Sequence, residues 1–153
     1  MSSQDESRRG LSDQYAADPL AVNRSIVERY RANGGDLGGG VGGAGRMLLL
    51  TTTGARSGRP QTAPMMYVRD GDRLVVFASN AGATKHPAWY HNLVANPEAT
   101  VEVGSDRFQA RALVTAGEER DRLWKLFPFP EHERQAGRQI PVVALSPIGT
   151  AQS

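Results

Sequence analysis

Between Met47 and Leu145 the chain alternates short β-rich runs with turn signals, and several of the links are too short for anything but hairpins. Met47 to Thr53, Thr62 to Arg69, Arg73 to Ser79, Thr100 to Val103, Arg107 to Val114 and Ile140 to Leu145 each read as a strand. Asp70-Gly71 marks one tight reversal, and Gly104-Ser105-Asp106 marks another. About six strands joined this way predict a mainly β, α+β chain built as an antiparallel barrel with helices outside it. Three helices are expected. The first opens at Asp18-Pro19, as N-cap and first helical residue, and carries an apolar face of Leu20, Val22, Ile26, Val27 and Tyr30. Pro87 to Ala95 forms the second, with Pro97 just past its end. The third opens on a capping-box pattern, Thr115 with Glu118, and buries Leu123, Trp124 and Phe127.

The 153 residues amount to one domain, with a core large enough to need no staples. We divide it into a polar tail and amphipathic helix (1–33), a Gly-rich connector (34–45), the barrel (46–147) and a short tail (148–153). A net charge of +2 is too small for general polyanion binding, so no nucleic-acid partner is expected and any anion must be gripped locally. The lack of cysteine excludes disulfides, thiolate nucleophiles and cysteine metal sites. The polar N-terminus lacks the apolar centre of a secretory signal, and no apolar run approaches the ~20 residues of a membrane span. A cytoplasmic protein is expected. Arg24, Arg29 and Arg31 on the first helix also permit peripheral contact with the inner face of the membrane, although a helix covering the barrel is the commoner arrangement.

Three apparent motifs carry no chemistry. Gly40-Val41-Gly42-Gly43-Ala44-Gly45 matches the dinucleotide fingerprint formally, but a helix precedes it and a strand follows, the reverse of what that fingerprint needs. His86 and His91 lack helical i, i+4 spacing and a carboxylate companion, so no metal site is expected. No serine sits in a nucleophile elbow.

Two stretches do suggest a site. In Thr51 to Pro60, a β-rich run of hydroxyls breaks into a loop with two glycines, Gly54 and Gly58, and two arginines, Arg56 and Arg59. Glycines let backbone N–H groups approach phosphate oxygens, and guanidinium groups make charge-assisted forks to phosphate or carboxylate. The Walker ending is missing, so triphosphate hydrolysis has no support. Read by itself, the loop is equally a solvated β-turn. In Ala78 to Asn92, small residues would let a flat ring lie against the backbone, Lys85 could meet an anionic tail, Trp89 could pack on a ring or in the core, and Asn92 could anchor the loop.

Taken in order, Leu48-Leu49-Leu50-Thr51-Thr52-Thr53-Gly54-Ala55-Arg56-Ser57-Gly58, then Pro64, Ala78-Ser79, Gly82, Pro87, Trp89-Tyr90 and Asn92 resemble the deazaflavin-dependent nitroreductase family of F420 enzymes, and its quinone-reductase-like members in particular. Asn96-Pro97 and Ile140-Pro141-Val142-Val143 extend the resemblance, which spans residues 34 to 147. It implies a split β-barrel of the FMN-binding type, with F420 in a groove. Thr53, Gly54, Ala55 and Arg56, with Ser57, Gly58, Arg59 and Pro60, would then cradle the phosphate and oligoglutamate tail. Ser79, Asn80, Ala81 and Gly82 would line the ring, with Lys85, Trp89 and Asn92 supporting or contacting the cofactor. Met66, Tyr67, Phe129 and His132 would face the acceptor, His132 and Phe129 standing where the best-known pattern has tyrosines.

The resemblance further implies an F420H2-dependent reductase acting on a menaquinone-like quinone, an enone or a nitroaromatic. The differences at Met66, Phe129 and His132 make quinones and enones better matches than nitroaromatic prodrugs. An imidazole can donate to a carbonyl and deliver a proton at physiological pH, which makes His132, with Ser79 as the alternative, the candidate proton source. The rival readings are an FMN enzyme on the same barrel and a noncatalytic F420- or lipid-binding protein. Because both loops follow Gly45, residues 1–33 are expected to be dispensable for folding and cofactor binding.

Overall fold

A computed structural model describes residues 19–35, 46–80, 83–127 and 130–148. Asp18, most of the Gly-rich connector, Ala81, Gly82 and Phe129 lie outside them. In chain order the elements are α1 (Pro19–Ala32), β1 (Arg46–Thr53), β2 (Pro60–Asp70), β3 (Arg73–Phe77), α2 (Ala88–Ala95), β4 (Glu98–Val103), β5 (Asp106–Val114), α3 (Gly117–Trp124), α4 (Glu131–Ala136) and β6 (Val142–Pro147). The six strands close into a barrel in the order β1-β2-β3-β6-β5-β4, every neighbouring pair antiparallel. Closure removes the exposed edges that an open sheet would present.

Strand alternation sorts side chains between three apolar clusters. Leu48 and Leu50 of β1, Leu74 and Val76 of β3, and Val143 and Leu145 of β6 fill the barrel with Trp89 and Leu93 of α2. Their neighbours Val75, Phe77 and Val142 point outward and are covered by Leu123, Phe127 and Ile140. Because both faces of these strands are buried, they read as continuous apolar runs rather than as alternation. Leu49, also outward, is covered by Val27 and Tyr30 of α1.

That third cluster bears on the expectation that residues 1–33 are dispensable, because it ties the described part, α1, to the barrel. Tyr30 is buried, and its hydroxyl donates to Met47 O (3.0 Å) while accepting from Gly104 N (2.8 Å). Arg31 adds a two-pronged contact with Glu102 at 3.1 and 2.8 Å. Just beyond α1, Gly35 passes so close to the β4–β5 turn that a Cβ on it would lie 2.5 Å from the Gly104 Cα, so only glycine fits. Removing α1 would uncover Leu49 and the backbone groups Met47 O, Glu102 O and Gly104 N. The helix is part of the core, and its described apolar face is covered by the barrel rather than presented to a membrane. Among the described residues no helix is long and apolar enough to cross a bilayer.

Two local expectations also change. Thr115 does not cap α3; its hydroxyl and its N–H both donate to Val142 O, at 2.8 and 2.9 Å, so it extends the β5–β6 ladder, and Ala116 is the N-cap. The polar stretch after Pro130 is a fourth short helix, α4, ended by Gly137 in the left-handed conformation (φ 65°).

Candidate cofactor and acceptor site

The β1–β2 hairpin ends in the Gly54–Arg59 loop, since Thr53 pairs with Pro60. Gly54 N–H donates to Arg59 O at 2.8 Å, Gly58 N–H to Gly54 O at 2.9 Å, and Arg59 N–H to the Ser57 hydroxyl at 3.1 Å. The turn is so tight that a Cβ at Gly54 would lie 2.5 Å from Ser57 Oγ, and Gly58 takes φ 71°. From below, the buried Asn92 of α2 holds the loop in place. Its Oδ1 accepts from Ala55 N (2.9 Å), and its Nδ2 donates to Thr52 Oγ1 (3.0 Å) and Gln61 Oε1 (2.9 Å). With its interior tied off, the loop presents Arg56, Ser57, Gly58 and Arg59 to solvent. Among the described residues neither guanidinium forms a salt bridge, whereas Asp70, Glu102 and Glu133 are all engaged by other arginines. A rigid loop with two unneutralised forks fits an anionic tail.

The second stretch lies close by. It leaves β3 at Ala78 and enters α2 at Ala88, and about one turn of that helix, roughly 6 Å along its axis, separates Ala88 from the anchoring Asn92. Asn80 takes φ 49°, a conformation that asparagine tolerates, and its side chain donates to Lys85 O at 3.1 Å. Ser79 is half-buried and Lys85 exposed, with no salt bridge to Lys85 among the described residues. Trp89 is 9% exposed, and its indole packs in the barrel interior.

A residue that no sequence motif marks organises this stretch. Arg138, between α4 and β6, donates from Nη2 to the carbonyls of Ala78 (3.1 Å), Ser79 (3.2 Å) and Lys85 (3.1 Å), and from Nε to that of Ala83 (3.3 Å). Its Nη1 lies 2.7 Å from His86 Nδ1. A guanidinium has no acceptor, so Nδ1 must be the acceptor and the neutral His86 ring carries its proton on Nε2. Burial, then the Arg138 charge, then His91 push the His86 pKa below its ordinary value. A depressed histidine favours the folded state fully above the unfolded pKa near 6.5, and that contribution fades as pH falls through the lower folded value. Melting temperature should therefore decline more steeply between pH 7 and 5 in the parent than in His86→Gln; equal slopes would remove His86 from the account.

A mostly buried aromatic wall follows β3, just upstream of Ser79. Phe77, two residues upstream, stacks on Phe127 at 4.5 Å, and Phe127 meets the His132 ring edge-on at 5.8 Å. Trp124 lies 5.1 Å from Phe127, and Met66 packs against the same cluster. Tyr67, expected beside Met66, faces the opposite way. On β2 alternate residues take opposite faces, so Met66 points out to this cluster while Tyr67 is buried inside the barrel. The wall is thus Met66, Phe77, Trp124, Phe127 and His132. Behind it, the buried Arg120 donates to Glu133 Oε2 and Ile140 O, both at 2.7 Å, and lies over the Trp124 ring at 4.7 Å. No cluster of metal-ligating residues occurs among the described residues.

The F420H(2)-dependent quinone reductase family model matches residues 22–147, which takes in the barrel, both loops and the wall. The chain belongs to this family. An F420H(2)-dependent quinone reductase of Mycobacterium tuberculosis (strain ATCC 25618 / H37Rv) is 38% identical over 125 residues, covering 76% of this chain and 84% of that protein. Among solved structures, an F420-H2 dependent reductase (FDR-A) is 37% identical with a TM-score of 0.60, covering 65% of this chain and 93% of the other. A chain described as a domain-swapped dimer is 35% identical with a TM-score of 0.62, covering 80% and 96%. This reductase is therefore an F420H2-dependent oxidoreductase that moves hydride to a small organic acceptor. Its barrel is the split-barrel fold expected for such a cofactor.

Proposed function

We propose that this reductase holds the anionic tail of F420 on the Thr53–Pro60 loop and its ring against Ser79, Asn80 and Lys85, and reduces a menaquinone-like quinone at the wall of Met66, Phe127 and His132. The observation that carries this reading is the Asn92-anchored loop, whose two arginines are exposed and whose anchor lies about one helical turn from Ala88. When bound, reduced F420 supplies two electrons and a proton together as hydride. The chain's tasks are then to bind, orient and shield. Arg56 and Arg59 neutralise the tail, and the half-buried Ser79, next to the buried Ala78, offers a close-fitting edge. The aromatic wall excludes water from one side of the acceptor. His132, edge-on to Phe127, would donate to a quinone oxygen as negative charge builds there, completing the proton count for a quinol.

In this reading the protein works in the cytoplasm and meets its acceptor at the inner face of the membrane. Contact there falls to the charged side of α1, where Arg24 is exposed, because its described apolar face is covered. The test is His132→Phe. Quinone turnover should fall about 10²-fold, as for a lost proton donor, with F420 affinity little changed. Equal turnover by variant and parent from pH 6 to 8 would leave proton delivery to Ser79 or solvent.

A further inference from the structure

We infer that Arg138 is a positioning residue that shapes the cofactor-ring stretch. The inference rests on the reading that Ala78–His86 lines the ring. All three guanidinium nitrogens are engaged, and every described partner belongs to this one stretch: the carbonyls of Ala78, Ser79, Ala83 and Lys85, and Nδ1 of His86. These groups come from both limbs of the turn, so one side chain draws the exit of β3 and the entry to α2 together. Asn80 bridges the same limbs through Lys85 O, and its own carbonyl accepts from Ala83 N at 3.0 Å. No lysine could do this, because an ammonium offers three donors at one point instead of five across a planar fork.

Arg138 is in turn fixed from the acceptor side. Gly137 ends α4 in the left-handed conformation, and two residues beyond Arg138 the Ile140 N–H donates to Glu133 Oε2 at 3.0 Å. The same carboxylate oxygen takes the Arg120 guanidinium at 2.7 Å. The helix that bears His132 and the stretch assigned to the ring are thus joined through the short Gly137–Ile140 link. Among the described residues Arg138 forms no salt bridge, so its charge is held by neutral carbonyls and stays uncompensated beside Ser79.

The test compares Arg138→Met and Arg138→Lys with the parent, first without cofactor. Arg138→Met should speed exchange of the Ala83 amide by about tenfold or more while Val75 and Val143 in the barrel keep their protection. It should also weaken F420 binding by about tenfold or more, yet leave the quinone KM unchanged at saturating F420. Arg138→Lys, which keeps the charge, should not restore affinity. Parental Ala83 exchange and F420 affinity in Arg138→Met, or full affinity in Arg138→Lys, would overturn the inference. If Arg138→Met does not fold, Arg138→Gln is read in its place against the same outcomes. Ser79→Trp separates the inference from the reading beneath it. Parental F420 affinity in that variant would refute the ring assignment itself, whereas lost affinity there with parental affinity in Arg138→Met would refute only the positioning role.

Discussion

Asn92→Leu should nearly abolish F420 binding and lower the melting temperature by roughly 5–10 °C. The amide is buried and makes three hydrogen bonds, to Ala55, Thr52 and Gln61, that together hold the hairpin loop to α2. Leucine has a similar shape and no polar atom, so the Ala55 N–H and the buried Thr52 hydroxyl lose their partner. A buried group left unpaired costs about 1–3 kcal/mol. For a chain of this length each kcal/mol shifts the melting temperature by about 2–4 °C. The loop then loses the anchor that keeps Arg56 and Arg59 in one geometry, and affinity falls with it. A melting curve and an F420 titration on the same preparation check both halves; parental values in both would mean that the loop holds its shape without α2.

Arg56→Ala/Arg59→Ala should separate binding from folding. Both side chains are exposed, and neither forms a salt bridge among the described residues, so their loss should leave the melting temperature within about 2 °C of the parent. A charge-assisted hydrogen bond contributes about 1.5–3 kcal/mol, so losing two should weaken F420 binding by about 10²-fold or more. Parental affinity should fall as salt rises, and the double variant should show a shallower dependence. An unchanged dissociation constant in the double variant would reject the cradle.

The parts of the fold carried by local chemistry were legible in the residues. Apolar runs with tight turns located all six strands to within about two residues, and the tight links made the barrel antiparallel. The reading of Asn92 as a loop anchor agrees with its three side-chain hydrogen bonds to Ala55, Thr52 and Gln61. What escaped was tertiary. Thr115 and Glu118 match a capping box, but a strand-end carbonyl, Val142 O, takes the Thr115 hydroxyl instead. Tyr67 does not share the face of Met66, because strand alternation places neighbours on opposite faces. Arg120 left a readable trace, since it falls on the helical stripe of Leu123, Trp124 and Phe127, where an arginine needs a buried carboxylate. Arg138 left none, because its partners lie 52–60 residues away in sequence. Position 129 lies outside the described residues, so of the residues expected to face the acceptor only Met66 and His132 are seen to join the Phe127 cluster.

The most direct test of the account is a pair of titrations of the purified full chain, one with F420 and one with FMN, followed by mixing the F420H2-loaded protein with a menaquinone analogue. The account predicts saturable, salt-sensitive F420 binding, much weaker FMN binding, and F420H2 oxidation matched one-to-one by quinol formation. Tight FMN binding with no saturable F420 binding would contradict it, and F420 binding without any turnover across quinones, enones and nitroaromatics would make the protein a carrier instead of a reductase.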